Sequence, residues 1–266
     1  MSSVAAASRR VALITGAAHR LGREIALDLA ASGWDIAVHY NRSARAAASV
    51  CAQAQERGAR ARAVGADLDD GTEVQALLPQ AVAALGRVDA VVNNASLFEF
   101  DDALQLTADA AARHYRVNTV APVLLAQSLY AHLQARGAQG CVVNLLDQKL
   151  SNPDPDYLSY TLSKAALQAA TTALAQALGP TLRVVGVAPG LMLPSGPMTA
   201  DEFGRMHGRT PLQRGCTPAD VAGAVRYVLD AGAVTGTTLL VDAGQHLVGH
   251  GRDVLFVVRH HGAGRA

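Results

Sequence analysis

The chain has 266 residues, half of them hydrophobic and 17% charged, with a formal net charge of +1. A core of that size forms without disulfides or metal, and near-neutrality removes the electrostatic case for a nucleic-acid or membrane partner. Three cysteines (Cys51, Cys141 and Cys216) stand far apart, with no CxxC and no Cys/His cluster, which argues against a disulfide framework or a zinc site and fits a reducing cytoplasm.

Residues 1–10 hold no apolar stretch behind positive charge and do not read as a secretory signal. Arg9-Arg10 followed by VALIT does not make a twin-arginine signal either, because the apolar run ends at Thr15-Gly16. No segment reaches about 18 apolar residues, so a soluble chain is expected. From there short β-branched runs at 11–14, 35–39, 61–65, 90–92, 140–145, 182–187 and 238–241 predict strands. Amphipathic stretches at 21–32, 44–57, 72–85, 107–135, 157–178 and 218–230 predict helices. Strand-helix alternation of this kind predicts one α/β domain over 1–266, a doubly wound Rossmann fold with a seven-stranded parallel sheet and right-handed crossovers that put helices on both faces. Residues 191–217 form the longest stretch without a clear period and are expected to cover a site beyond the carboxyl ends of the strands. The tail, 247–266, is basic and irregular apart from an apolar run at 254–258.

The first strand runs into Thr15-Gly16-Ala-Ala-His-Arg20-Leu21-Gly22 and a helix start. A glycine turn before a helix N-terminus lets backbone N–H groups approach a pyrophosphate. The spacing departs from G-x-G-x-x-G, so an ordinary packing glycine is the alternative. His19 lies in the same turn and either reaches a phosphate or sits on the surface. The second strand ends in Asn41-Arg42-Ser43, with no acid to accept from a ribose 2′-hydroxyl. Arg42 can pair with a 2′-phosphate and Ser43 can both bond it and cap the next helix, which reads as NADP(H). The alternative is a solvated arginine beside an N-cap serine.

Further on, Tyr160 and Lys164 stand four apart, on one helix face. Only two of the 23 basic residues are lysines, Lys149 and Lys164. An ammonium beside a phenol lowers its pKa from about 10 and makes an acid or base usable near neutrality. A solvated helical pair is the bland alternative.

Taken together, Thr15–Gly22, Asp67-Leu68, Asn93-Asn94-Ala95-Ser96, Asn118, Tyr160-x-x-x-Lys164, Pro189-Gly190 and the closing TGTTLLVDAGQ resemble the short-chain dehydrogenase/reductase family over nearly the whole chain. The resemblance implies that Gly16, Arg20, Leu21, Asn41, Arg42 and Ser43 hold the NADP(H) phosphates. Asp67 and Leu68 would border the adenine, and Asn94, Ala95 and Ser96 line the cofactor cleft. Pro189 and Gly190 would pass beside the nicotinamide. Tyr160 would carry the substrate proton, Lys164 hold the nicotinamide ribose and depress the phenol pKa, and Asn118 support a water in the relay. A homotetramer is the family's habit, and no metal is expected; His260-His261 is too isolated to be a metal site.

Two positions depart from the family pattern. Asp147 stands where the family usually has a serine, and Leu191-Met-Leu-Pro194 lacks the usual threonine after Pro-Gly, which leaves the carboxamide contact open. Asp147, the TGAA-basic-RLG turn, His39-Tyr40-x-Arg42-Ser43 and NNAS followed by Phe98 are similar to the pteridine reductases. That similarity implies Asp147 and Tyr160 acting together on a ring imine, with Phe98 stacked on a pterin. A pterin C=N needs hydride at carbon and a proton at nitrogen, and a flat ring suits an aromatic wall. Asp147 as a helix N-cap or loop ion pair, and Phe98 as core packing, are the alternatives. The expectation is an NADPH-dependent reductase of a pterin or dihydrofolate-like C=N bond. Rivals are a ketone or 3-oxoacyl reductase and a catalytically inactive NADP(H)-sensing or scaffold protein.

Overall fold

The computed structural model describes residues 9–194 and 196–263. Residues 1–8, Ser195, residues 264–266 and the side chains of His260 and His261 lie outside the described residues, and with them the signal and tail-histidine readings. Seven strands form one parallel sheet: β1 (Arg10–Ile14), β2 (Trp34–Tyr40), β3 (Ala61–Gly65), β4 (Ala90–Asn93), β5 (Gly140–Leu145), β6 (Leu182–Pro189) and β7 (Thr238–Val241), in the order β3-β2-β1-β4-β5-β6-β7. Central strands of such a sheet are covered on both faces and so run almost without polar residues, as VALI and VVN do here.

Alternate residues of each strand feed two cores. Ile14, Ile36, Val92 and Val143 pack on one face against Ile25 and Leu29 of α1 (Arg20–Ala31), Val50 of α2 (Ala44–Glu56) and Val221 and Val225 of α8 (Pro218–Asp230). Leu13, Val91, Val142 and Val184 pack on the other against Leu77 of α3 (Gly71–Leu85) and Leu125 and Leu129 of α5 (Ala121–Ala135). Each fully buried leucine or isoleucine contributes about 1.5–3 kcal/mol. Strand order reverses between β1 and β4, which pair as Ala12 with Ala90 and Ile14 with Val92. Beyond the carboxyl ends of these two strands opens the crevice where this architecture binds ligands.

Three expectations need correction. The helix expected over 107–135 is broken into α4 (Ala108–Tyr115), a π-helical turn (Arg116–Val120) and α5, and the wide turn centres on the buried Asn118. Such bulges recur at functional sites because they re-aim a side chain within a helix. The segment 191–217 contains a helix, α7 (Ala200–His207), started by a capping box in which Thr199 Oγ1 accepts from the Glu202 N–H and Glu202 Oε2 from the Thr199 N–H. Its T-x-x-E signature was legible, but the short helix shows too few turns for periodicity. The tail contains α9 (Val254–Ala263), which buries Leu255 and Val258 and ties Arg259 to Glu202 of α7 at 2.8 Å. The helix α6 (Leu158–Leu178) stands between β5 and β6 in the chain and carries the Tyr-x-x-x-Lys motif.

Candidate active site

The glycine turn is locked from three sides. Gly16 has φ +63°, in the left-handed region that favours glycine. A Cβ on Gly22 would lie 2.3 Å from the Gly16 carbonyl oxygen and 2.6 Å from Asn94 Nδ2, so only glycine lets the helix start this close. Thr15 Oγ1 accepts from the Asn94 and Ala95 N–H groups at 2.9 and 3.0 Å, and Asn94 Nδ2 donates to the Thr15 carbonyl at 2.9 Å. The buried His39 completes the frame: its Nδ1 accepts from the Gly16 N–H at 3.0 Å, which leaves Nε2 to donate to the Ala66 carbonyl at 3.0 Å. Burial holds the imidazole below its ordinary pKa and therefore neutral. In the sequence His39 counts as a strand residue and as part of the His39-Tyr40-x-Arg42-Ser43 motif, with no role at the turn, although a histidine closing an apolar strand is the signal. Arg20, at φ 50°, reaches from the turn to the Pro194 carbonyl at 2.7 Å and ties it to the loop over the site.

At the tip of β2 a shallow basin is lined by His19, Arg42, Ser43, Arg45 and Ser49. Arg42 and Arg45 are exposed, and neither has an ion-pair partner among the described residues. Ser43 occupies the N-cap position of α2, but its side chain makes no bond to the helix, contrary to the capping expectation. Two unpaired guanidinia, a hydroxyl and a helix N-terminus have the chemistry to hold a 2′-phosphate. Asn41 is exposed beside them. Leu68 is buried at the end of β3, and Asp67 Oδ1 accepts from the Asp69 N–H at 3.0 Å. The glycine cradle and this basin fit NADP(H).

The reacting groups meet at the end of β5. Tyr160 Oη donates to Asp147 Oδ2 at 2.7 Å, and Asp147 Oδ1 accepts from the Lys149 N–H at 2.8 Å. Asp147 is therefore an N-cap of the short turn Gln148–Ser151 and, at once, the partner of the tyrosine. Burial raises its carboxyl pKa against the hydrogen bonds that lower it. Burial, and after it the Asp147 charge and hydrogen bond, lift the Tyr160 phenol well above its ordinary range. The net shift thus runs opposite to the depression expected from Lys164. Lys164 Nζ donates to the Leu145 carbonyl at 2.7 Å and sits 5.8 Å over the tyrosine ring, not at its hydroxyl. Burial lowers the ammonium itself to about 8. Asn118 lies behind, its Nδ2 donating to the Leu97 carbonyl and to Ser163 Oγ, both at 2.9 Å, while its Oδ1 accepts from the Leu97 N–H.

Arg20, Leu21, Ser96, Phe98, Asp147, Tyr160 and Gly190 all face one cavity of about 490 Å³. Gln245 of the last strand's loop sets its rim by accepting from the Leu191 N–H, the segment that follows Pro189-Gly190. Phe98 lines the cavity but is already stacked on Tyr157, with ring centroids 4.1 Å apart, and meets Tyr160 edge-on at 4.7 Å. Packing and wall are thus one role for this ring. The tail, which carried no functional expectation, supplies His250, Arg252, Asp253 and Val254 to the same cavity. Lys149 was noted only for being a lysine; it is buried beside Asp147.

A family model described as short chain dehydrogenase matches residues 10–203. Among solved structures, the FolM alternative dihydrofolate reductase 1 from Brucella canis, complexed with NADP, superposes with a TM-score of 0.85 at 37% identity, over 91% of this chain and 96% of that one. Pteridine reductase 1 of Leishmania tarentolae is 33% identical over 89% of this chain and 96% of its own length. A granaticin polyketide synthase putative ketoacyl reductase 2 from Streptomyces violaceoruber is also 33% identical, over 90% and 96%.

Proposed function

The chain belongs to the short-chain dehydrogenase family of oxidoreductases, which use nicotinamide cofactors, and on that premise we propose that it is an NADPH-dependent reductase of a pterin or dihydrofolate-like C=N bond. The observation that carries this reading is the buried Tyr160–Asp147 pair, 2.7 Å apart, at the wall of the cavity. NADPH, when bound, supplies the hydride to the imine carbon. Tyr160, kept neutral by burial, donates its proton to the imine nitrogen, and Asp147, its hydrogen-bond partner, passes a proton taken up from solvent back to the phenolate so formed. A ketone needs only the phenol; a basic ring nitrogen in a flat heterocycle gains from the second acid and from the Phe98 edge of the cavity. Arg42 and Ser43 select the 2′-phosphate, Gly16, Arg20 and Leu21 cradle the pyrophosphate, and Lys164 and Asn118 support the ribose and the relay.

The dihydrofolate reductase and pteridine reductase relatives support this reading, the NADP in the former supports the cofactor, and three free buried thiols fit a cytoplasmic setting. A homotetramer belongs to the same reading: β7 ends the sheet with Leu239 and Leu240 exposed, and light scattering reads the assembly. The deciding assay follows NADPH consumption with dihydrobiopterin, dihydrofolate and an acetoacetyl thioester. Turnover of the dihydropterins well above the thioester is expected. A chain inert on both dihydro substrates and active on the thioester is a 3-oxoacyl reductase, and one that binds NADPH and turns over none is a sensor or scaffold.

A further inference from the structure

Both lysines of this chain are buried at the same site, and only Lys164 lies in the motif that the reaction uses. An ammonium taken out of water must be compensated. Lys149 Nζ is held by Asp154 at 2.6 Å and by Asp253 at 3.5 Å, above the ring of Tyr157 at 5.6 Å. Its own N–H caps the Asp147 carboxylate. Asp253 comes from the tail, 104 residues further along the chain, and shares the cavity wall with Asp147 and Tyr160. The tail is fastened there by Arg252, which grips Asp156 with two bonds of 2.8 and 2.7 Å, and by the Asp253 N–H on Asp156 Oδ2 at 2.8 Å. An aromatic chain runs alongside, from Phe256 through Phe100, Tyr157 and Phe98 to Tyr160.

We propose that Lys149 and Asp253 are positioning residues for Asp147: the lysine's charge, shared with the docked tail, sets how firmly Asp147 holds its proton. Asp147 faces Tyr160 and Lys164 from α6, Lys149 from its own turn and Asp253 from the tail; Lys149 faces Asp154, Asp253 and the Tyr157 ring, with Asp156 and Arg252 behind. Lys149 and Lys164 are the cations that favour the ionised Asp147 carboxylate. Asp253 sets an opposing negative charge beside the first of these cations and repels Asp147 directly, so it offsets that pull. The docked tail thereby strengthens the hold of Asp147 on its proton, and loss of the Asp253 charge weakens it. The inference rests on the proposed role of Asp147 as a proton source, but its main readout needs no substrate.

The experiment titrates Asp carboxyl carbons by NMR in the full chain, with the Asp147 signal identified by its loss in Asp147→Asn. In Asp253→Asn the Asp147 midpoint should fall by about 0.5–1 pH unit, because the negative charge that offsets Lys149 is removed. In the double variant Lys149→Met/Asp154→Asn, which removes the cation with its tight partner, it should rise by a similar amount, about 0.5–1 unit. Lys149→Arg should stay within about 0.3 unit of wild type, since the charge is kept. The alkaline limb of kcat should move with the midpoint in each variant. Opposite shifts in the first two variants carry the proposal; shifts of one sign, or a shift in only one of them, overturn it. Failure of the pterin reading shows instead as absent pterin turnover, with the NMR shifts intact.

Discussion

Replacing Arg42 tests the cofactor reading where the structure makes the arithmetic simplest. Arg42 and Arg45 border the basin at the tip of β2, and no carboxylate among the described residues neutralises either. A charge-assisted bond to a phosphate is worth about 1.5–3 kcal/mol. Both guanidinia are exposed, so the lower part of that range applies, about 1.5–2 kcal/mol each. Arg42→Ala should therefore weaken NADPH binding by about 10- to 30-fold, and Arg42→Ala/Arg45→Ala by about 10²- to 10³-fold. NADH lacks the 2′-phosphate, and its affinity should change by less than about 2-fold. The loss should shrink with added salt, because the charges face solvent. Isothermal titration of both cofactors against the three proteins at two ionic strengths reads all of this. Equal wild-type affinities for NADPH and NADH, or an Arg42→Ala that weakens both alike, would refute the reasoning.

Tyr160→Phe should lower kcat by about 10²–10⁴-fold with NADPH affinity nearly unchanged, since only the proton is lost; retention of half the activity would place the proton donor elsewhere. Gly22→Ala should cost about 1–3 kcal/mol in a denaturant titration, because a Cβ 2.3 Å from a backbone oxygen forces α1 away from the turn; a wild-type midpoint would contradict the close approach. His39 has a folded pKa below its ordinary 6.5. Its contribution is therefore complete above about pH 6.5 and is lost as pH falls through the folded value. His39→Asn should flatten the fall in melting temperature between about pH 7 and pH 5; a slope equal to wild type would mean that another group titrates.

Strands were legible because burial on both faces of a parallel sheet makes each a short, nearly continuous apolar run. Strands 61–65, 140–145 and 238–241 agree with their expected limits, and the rest lie within two residues. The Tyr160–Lys164 spacing and the missing acid after β2 were legible for a similar reason: helical pitch and strand ends put neighbours in sequence beside one another in space. Contacts between distant segments carry no such local signal. Asp147 and Tyr160 belong to different elements, and only the packing of α6 against β6 and the turn Gln148–Ser151 shows that the phenol spends its hydroxyl on the carboxylate while Lys164 turns to the Leu145 carbonyl. That arrangement reverses the direction of the tyrosine's pKa shift. The pin of His39 on Gly16, the π-turn that aims Asn118, and the tail residue Asp253 reaching Lys149 likewise arose only on folding. Desolvation and Coulomb energy depend on distance in space, and spacing along the chain does not predict it across 104 residues.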